Sequence, residues 1–120
     1  MYIVIFRACI HQLDADYSQT AQRMREKAFA EYGCVDFVAV SEGDQEIALS
    51  YWNSLEDIRR WQQDAEHRQA QQKGRERWYR EYSVEIAPIE RGYRNPVDLH
   101  LKLTRLLRRI LTRLYWPIMA

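Results

Sequence analysis

The 120-residue sequence predicts an α+β fold in which two helices cover one face of an antiparallel sheet. Two observations predict this fold. Strand-like and helix-like segments alternate in the order β-α-β-β-α-β, and the strand-like segments are apolar on both of their faces. This order is the split βαβ pattern of a ferredoxin-like sandwich. Hydrophobic residues make up 47% of the chain and charged residues 29%, which favours a folded domain over a disordered chain.

The first strand and the first helix have clear boundaries. Residues 2–10 are a nearly continuous run of apolar strand formers, which is typical of a buried strand. Asp14 and Asp16 are suited to cap the N-terminus of a helix that spans about 15–32. Gly33 can end that helix because glycine readily adopts the backbone conformation found after a helix C-terminus.

Two further strands follow as a hairpin over residues 34–41 and 46–53, with turn-forming residues at 41–45 between them. Ser54 and the acidic residue three positions later resemble a capping box for a second helix over about 55–73. The predicted inward stripe of this helix is Ile58, Trp61, Ala65 and Gln69.

The last strand is predicted over residues 81–91, where apolar and polar residues alternate. Pro88 limits pairing and favours an edge position for this strand. Because the helices can cover only one face of the sheet, the apolar residues on the other face predict a second copy packed against it. The pattern therefore predicts a homodimer.

Bulk properties exclude several classes of protein. No segment has 18 uninterrupted apolar residues, so no membrane span is expected. Cys9 and Cys34 lie in apolar runs without metal or redox spacing, which favours reduced thiols and a cytoplasmic location. The three histidines are far apart in the sequence, so no metal site is expected.

The charge is unevenly distributed along the chain. Residues 96–120 carry a net charge of +4 and residues 1–95 carry −3. We therefore expect one domain at 1–93, followed at 94–120 by a linker and a basic amphipathic helix. This helix, at 97–116, is predicted to pack within the dimer, or to bind a partner or the periphery of a membrane. Nucleic-acid binding is not favoured because the domain is acidic.

The segment from Ser50 to Trp61, with the run Asp64-Ala-Glu-His-Arg68 and the segment from Gly74 to Tyr79, resembles the antibiotic biosynthesis monooxygenase family. The resemblance covers residues 1–93. It implies a dimeric α+β barrel of ferredoxin-like protomers. It also implies a cofactor-independent monooxygenase that acts on a small aromatic substrate such as a quinol, a phenol or a polyketide.

A haem-degrading branch of this family uses an Asn on the first strand, a Trp on the second helix and a His about three turns later. Trp61 matches that Trp, but the first strand has Phe6 and Arg7, and Gln71 lies ten residues after Trp61. We therefore expect no cofactor, and haem is the less favoured alternative.

His67 is the candidate general base because it is the histidine of the recognised motif. Asp64, three residues earlier, is expected to contact its imidazole and favour the charged form. Trp61 is either a core residue or the wall of a substrate pocket. On one continuous helix, Trp61 and His67 would be about 240° apart, so they could share a site only if the helix breaks or a partner chain contributes one of them.

Four other residues are candidates for substrate binding. Arg7 lies within an apolar strand and can bind an anionic group or pair with Glu85 or another strand carboxylate across the sheet. Asn53 lies at a strand-to-helix junction, where it can bind a substrate oxygen or stabilise a turn. Trp78 and Tyr82 belong to an aromatic cluster that either packs over the barrel rim or contacts the substrate. A non-catalytic binding module on the same fold is the alternative to an enzyme.

Overall fold

A computed structural model describes residues 1–95, which form one antiparallel sheet with helices on one face. The elements are β1 (Tyr2–Ile10), α1 (Ala15–Glu31), β2 (Cys34–Glu42), β3 (Gln45–Trp52), α2 (Leu55–Gln62), α3 (Ala65–Lys73), a π-helical turn (Gly74–Trp78) and β4 (Tyr79–Pro88). The strand order β2-β3-β1-β4 confirms the predicted ferredoxin-like topology.

The local signals that define the first half of the fold are confirmed. The Asp14 side chain accepts a hydrogen bond from the Tyr17 main-chain nitrogen at 2.9 Å and caps α1. Gly33 follows α1 with a φ of 77°, and Gly43 has a φ of 60° in the tight turn between β2 and β3. Both positions favour glycine because they lie in the left-handed region of the backbone map.

The prediction of one helix over 55–73 is wrong, because the chain forms two helices with a break at residues 63–64. Asp64 leaves the helical conformation, with a ψ of 133°, and its side chain caps α3. The break changes the rotational phase of the second helix. Ala65 and Gln69, predicted to face inward, are exposed, whereas His67 and Ala70 are buried.

Side chains alternate along each strand, so the sheet has a face that the helices cover and an open face on the opposite side. Val4, Phe6 and Ala8 of β1 point to the helices and are buried. On β3 the covered residues are Glu46, Ala48, Ser50 and Trp52. The open face carries Ile3 and Ile5 with their register neighbours Tyr51, Leu49, Ile47, Val38 and Val40. Val40 on this face is 60% exposed, so the described residues leave an apolar sheet surface uncovered.

The last strand begins two residues earlier than predicted, at Tyr79, and ends at Pro88. It lies at the edge of the sheet, as Pro88 indicated. Within residues 1–95, no helix has the length and hydrophobicity needed to cross a bilayer. The predicted amphipathic helix at 97–116 lies outside the described residues.

Candidate functional site

The break between α2 and α3 brings Trp61 and His67 together. Their rings stack with centroids 4.1 Å apart and an interplanar angle of 16°. One continuous helix would hold them on different sides, so the contact depends on the break at residues 63–64. The ring of Tyr32, at the C-terminal end of α1, also packs on Trp61, with ring centroids 5.3 Å apart. Trp61 and His67 therefore lie together in the core beneath the helices.

Asp64 does not have the partner predicted for it. Its carboxylate accepts a hydrogen bond from the main-chain nitrogen of His67 at 3.0 Å, as a helix cap, rather than pairing with the imidazole. The same carboxylate binds the Lys27 ammonium at 2.8 Å and the Tyr32 hydroxyl at 2.6 Å. Burial alone would raise the pKa of Asp64, but Lys27, Tyr32 and the main-chain N–H together lower it to about 2. Asp64 therefore caps α3 and pairs with Lys27, and the predicted contact between its carboxylate and the His67 imidazole is wrong.

The imidazole of His67 is held by a main-chain group. Its Nδ1 lies 3.1 Å from the carbonyl oxygen of Trp61. Because a carbonyl oxygen can only accept, this contact assigns the hydrogen to Nδ1, and the neutral ring then has its lone pair on Nε2. The residue is 0% exposed. The arrangement suits a core histidine and also defines the tautomer that a base would need.

An aromatic cluster lies at the opposite end of α1. Its members are Phe6, Tyr17, Trp78, Tyr79 and Tyr82. The Tyr17 ring meets Trp78 edge-on at 5.3 Å, and the Phe6 ring stacks on Tyr82 at 6.2 Å. Trp78 also donates a hydrogen bond from its indole nitrogen to Asp14 at 3.1 Å. The structure thus brings the predicted residues Trp78 and Tyr82 into one cluster on the covered side of the sheet.

Glu46 is a buried titratable residue that the sequence reasoning missed. It is 4% exposed, and its Oε2 has no hydrogen-bond partner within the part of the chain that the structure describes. Burial raises the pKa of Glu46 to about 7. It lies opposite Ala8 in the register. Burial raises the pKa of the Tyr17 hydroxyl, and the charge of the nearby Glu46 raises it further. A carboxyl that titrates near neutral pH can act as an acid or a base.

Strand parity was the available signal for Glu46. The sequence shows Glu46, Ala48, Ser50 and Trp52 at alternate positions of one strand, so a buried Trp52 implies that Glu46 faces the same side. Glu46 is the first alternating residue after a turn, where strand ends are usually exposed, so the pattern alone does not predict its burial.

Arg7 and Asn53 lie away from the helix-covered interior. Arg7 projects from the open face, opposite Ile47 and Ser83 in the register. Its predicted pairing with Glu85 is not found among the ion pairs of residues 1–95. Asn53 is exposed between β3 and α2. Neither residue joins Trp61 and His67 or the aromatic cluster within the protomer.

Two cavities lie on or beside the open face. One, of about 250 Å³, is lined by Arg7, Gln45 and Ser83 among others. The other, of about 630 Å³, includes Val38 and Tyr93. Trp61, His67 and Glu46 line neither of these two cavities. The Trp61–His67 stack is closed off from solvent, since the two residues are 1% and 0% exposed.

The residues present do not fit the haem-binding pattern of the family. Phe6 fills the core on the first strand and Arg7 faces away from the helices, so neither can replace the Asn of that pattern. The Nδ1 atom of His67 is already engaged by the Trp61 carbonyl. Among residues 1–95, no group of three His, Cys, Asp or Glu side chains could hold a metal ion.

Comparisons with known proteins give one relative at substantial identity. The Bacillus subtilis protein YqjZ, whose function is uncharacterized, is 37% identical over 91 residues, which is 75% of this chain and 80% of YqjZ. No family model matches the sequence.

Two solved structures share the fold. The first is a mutant of SnoaB, a cofactor-independent oxygenase from Streptomyces nogalater, with a TM-score of 0.64 at 13% identity, covering 76% of this chain and 94% of SnoaB. The second is a protein from Nitrosomonas europaea assigned as an antibiotic biosynthesis monooxygenase, with a TM-score of 0.55 at 14% identity, covering 76% of this chain and 100% of that one. This chain therefore belongs to the same family as YqjZ and has the fold of these two structures.

Proposed function

We propose that this protein is a cofactor-independent oxygenase that acts on a small aromatic substrate of the quinol or phenol type. The observation that carries the proposal is the stack of the Trp61 ring on the buried imidazole of His67, which places an aromatic wall against a group that can accept a proton. Aromatic walls favour a flat ligand, and a few polar groups can orient it. The shared fold with SnoaB, named as a cofactor-independent oxygenase, supports the same proposal.

The chemistry needs a base and dioxygen. Removal of a hydroxyl proton breaks the O–H bond and leaves its electron pair on the phenolate oxygen of the substrate. A carbon of the electron-rich ring then forms a bond to dioxygen, which is the oxidant, to give a hydroperoxide. Cleavage of its O–O bond with loss of water leaves a quinone, so one oxygen atom enters the product, the other leaves as water, and the substrate supplies all four electrons. The protein supplies orientation and a proton acceptor.

His67 is proposed as the proton acceptor of this reaction. The contact between its Nδ1 and the Trp61 carbonyl leaves the lone pair on Nε2 of the neutral ring. Trp61 would then form the wall against which the substrate lies. Because His67 is fully buried, the substrate can reach it only when the side chains around the α2–α3 break separate.

Oxygen consumption tests the function and the base separately. We expect the wild-type protein to consume dioxygen with a panel of quinols and phenols, and His67→Gln to lower kcat at least about 100-fold. The exposed His11 provides the matched control, His11→Gln, which should retain full activity. Absence of turnover across the panel would contradict the function, and full turnover by a folded His67→Gln variant would contradict the base.

The proposed enzyme is a homodimer formed through the open face. Val40 and Ile47, which are 60% and 40% exposed, lie side by side there and would be covered by a second copy. We expect Ile47→Glu to convert the dimer into a monomer in light scattering. Leu55→Glu is the control, because Leu55 is equally exposed (41%) but lies at the start of α2. A monomeric wild type, or a dimeric Ile47→Glu protein, would contradict this assembly.

A second candidate function is a binding module without turnover. It is favoured by the complete burial of His67 and by the 1% exposure of Trp61. Its predicted recruitment to a membrane or partner through residues 97–116 is tested by sedimentation with anionic liposomes. Binding by the full chain but not by a chain ending at residue 95 would support it, and no binding by the full chain would exclude the membrane version.

A further inference from the structure

Burial of the Glu46 side chain favours its neutral, protonated form. One of its carboxyl oxygens, Oε2, has no hydrogen-bond partner among the described residues. The residue is 4% exposed. Buried polar atoms in native proteins nearly always have a hydrogen-bond partner, and an exception calls for an explanation. A ligand that brings its own donor is one such explanation.

The register shows how a ligand can approach this carboxyl. Ala8 on β1 pairs with Glu46 of β3 on one side and with Tyr82 of β4 on the other. All three side chains therefore point to the covered face, with Glu46 and Tyr82 about 10 Å apart because neighbouring strands are about 4.8 Å apart. Ala8 contributes only a methyl group between them. Tyr82 is on the edge strand and 36% exposed, so its ring is the part of this wall that a ligand can displace.

The groups that face this position are aromatic and hydroxylated rather than charged. Tyr17 extends from α1, and its hydroxyl accepts a hydrogen bond from the Tyr79 hydroxyl at 3.3 Å. From β2, Ser41 lies opposite Glu46 in the register. The raised pKa of Glu46 has burial as its cause, and no cation within residues 1–95 opposes it. A neutral aromatic ring that bears a hydrogen-bond donor complements such a position.

We propose that the Glu46 carboxyl accepts a hydrogen bond from the hydroxyl of a phenolic ligand, whose ring lies over Ala8 between Tyr17 and Tyr82. The ligand class is a single-ring phenol, because Glu46 and Tyr82 are separated by only two strand spacings. Glu46 thereby distinguishes a ligand with a free hydroxyl from its methyl ether. The choice of a phenol rests on the proposed function, but binding itself does not require turnover.

The sign of the pH dependence follows from the ionisation of Glu46. Ionised Glu46 accepts a stronger, charge-assisted hydrogen bond than the neutral acid does. The Tyr17 hydroxyl that faces it stays protonated below pH 9, because burial raises the pKa of Tyr17 above its ordinary value. Phenol also stays neutral in this range. Affinity for phenol should therefore increase as the pH rises through the titration of Glu46.

The experiment measures binding of phenol and of anisole, its methyl ether, by NMR chemical-shift titration under nitrogen. Between pH 5.5 and 8.5 we expect the wild-type protein to bind phenol about fivefold to tenfold more tightly, and anisole with no such gain. Glu46→Gln keeps the side-chain shape without the charge and should bind phenol without the pH dependence. The control is Glu42→Gln, at an exposed position on β2, which should behave as the wild type.

Three results would overturn the inference: no saturable binding of phenol by the wild type, equal affinities for phenol and anisole, or a pH dependence that persists in Glu46→Gln. Failure of the proposed function is a separate outcome. Phenol binding with the expected pH dependence, but without oxygen consumption, would contradict the oxygenase and leave the Glu46 site intact. Oxygen consumption without the pH-dependent binding would contradict the Glu46 site alone.

Discussion

Two buried carboxyl groups lie against opposite ends of α1, and their partners differ much more than their burial. The Asp64 side chain is 7% exposed and binds Lys27, Tyr32 and a main-chain N–H. Glu46 is 4% exposed, and its Oε2 has no partner within residues 1–95. The pKa of Asp64 falls to about 2, whereas that of Glu46 rises to about 7.

The difference shows that pairing decides which form of a buried carboxyl is stable. Burial disfavours the charged form at both sites, and only at Asp64 do cationic and hydrogen-bond partners outweigh it. The Asp64 end therefore contributes to the stability of the fold. The Glu46 end keeps a reactive group at some cost in stability at neutral pH, which is typical of functional sites.

The largest effect should follow from removing Trp61 at the Asp64 end. Trp61→Ala leaves a cavity beneath Tyr32 and His67, which pack on it at 5.3 and 4.1 Å. We expect a loss of about 3–5 kcal/mol in the free energy of unfolding, measured with urea. Trp61→Phe keeps much of the ring and should cost clearly less. Equal stability of wild type and Trp61→Ala would show that this end does not support the fold.

Glu46→Gln should increase the stability of the protein at pH 8, whereas Trp61→Ala decreases it. The folded-state pKa of Glu46 is raised, so its contribution to stability is present below its ordinary value of 4.5 and is lost as the pH rises through about 7. Glutamine never ionises. The variant should therefore be more stable than the wild type by up to about 3 kcal/mol at pH 8, and similar to it at pH 4.

Thermal unfolding at both pH values checks this expectation, with Glu42→Gln as the exposed control. A destabilised Glu46→Gln protein at pH 8 would mean that the ionised Glu46 side chain has a stabilising partner. That result would remove the contrast with Asp64.

A smaller effect is expected for Asp64→Asn. Asparagine can still cap α3, so the substitution removes mainly the charge that faces Lys27. The pKa of Asp64 is lowered, so its contribution is present above the ordinary value of 3.8 and is lost as the pH falls towards about 2. We expect a loss of about 1–3 kcal/mol at pH 7 that disappears near pH 2.

Asp57→Asn is the matched comparison, because Asp57 pairs with Arg60 at 3.6 Å in a more exposed position. That pair should contribute less than about 1 kcal/mol. If both variants lose equal stability in urea unfolding, partial burial does not strengthen the Asp64–Lys27 pair.

Much of the fold could be predicted from the sequence because its signals are local. The apolar run at 2–10 coincides with β1, and Gly33 and the turn at Gly43 stand where the backbone needs a positive φ. The break at residues 63–64 was missed although Asp64 is a good capping residue. Helical periodicity continued through it, and a cap within such a run is difficult to distinguish from a surface aspartate.

The candidate site was less predictable because it depends on distant contacts. The motif identified His67 and Trp61, but Lys27 and Tyr32, which bind Asp64, come from α1, more than 30 residues away. The alternation along β3 places Glu46 on the same face as Trp52, but its burial depends on helix packing. Arg7 has the strand position expected, yet its face of the sheet is turned away from the helices.

Titration of the side-chain carboxyl ¹³C resonances most directly tests the contrast between Glu46 and Asp64. Glu46→Gln and Asp64→Asn assign the two signals. The Glu46 resonance should titrate with a midpoint near 7 and that of Asp64 with a midpoint near 2. A Glu46 midpoint close to its ordinary value of 4.5 would contradict an unpaired, buried carboxyl at this end of α1.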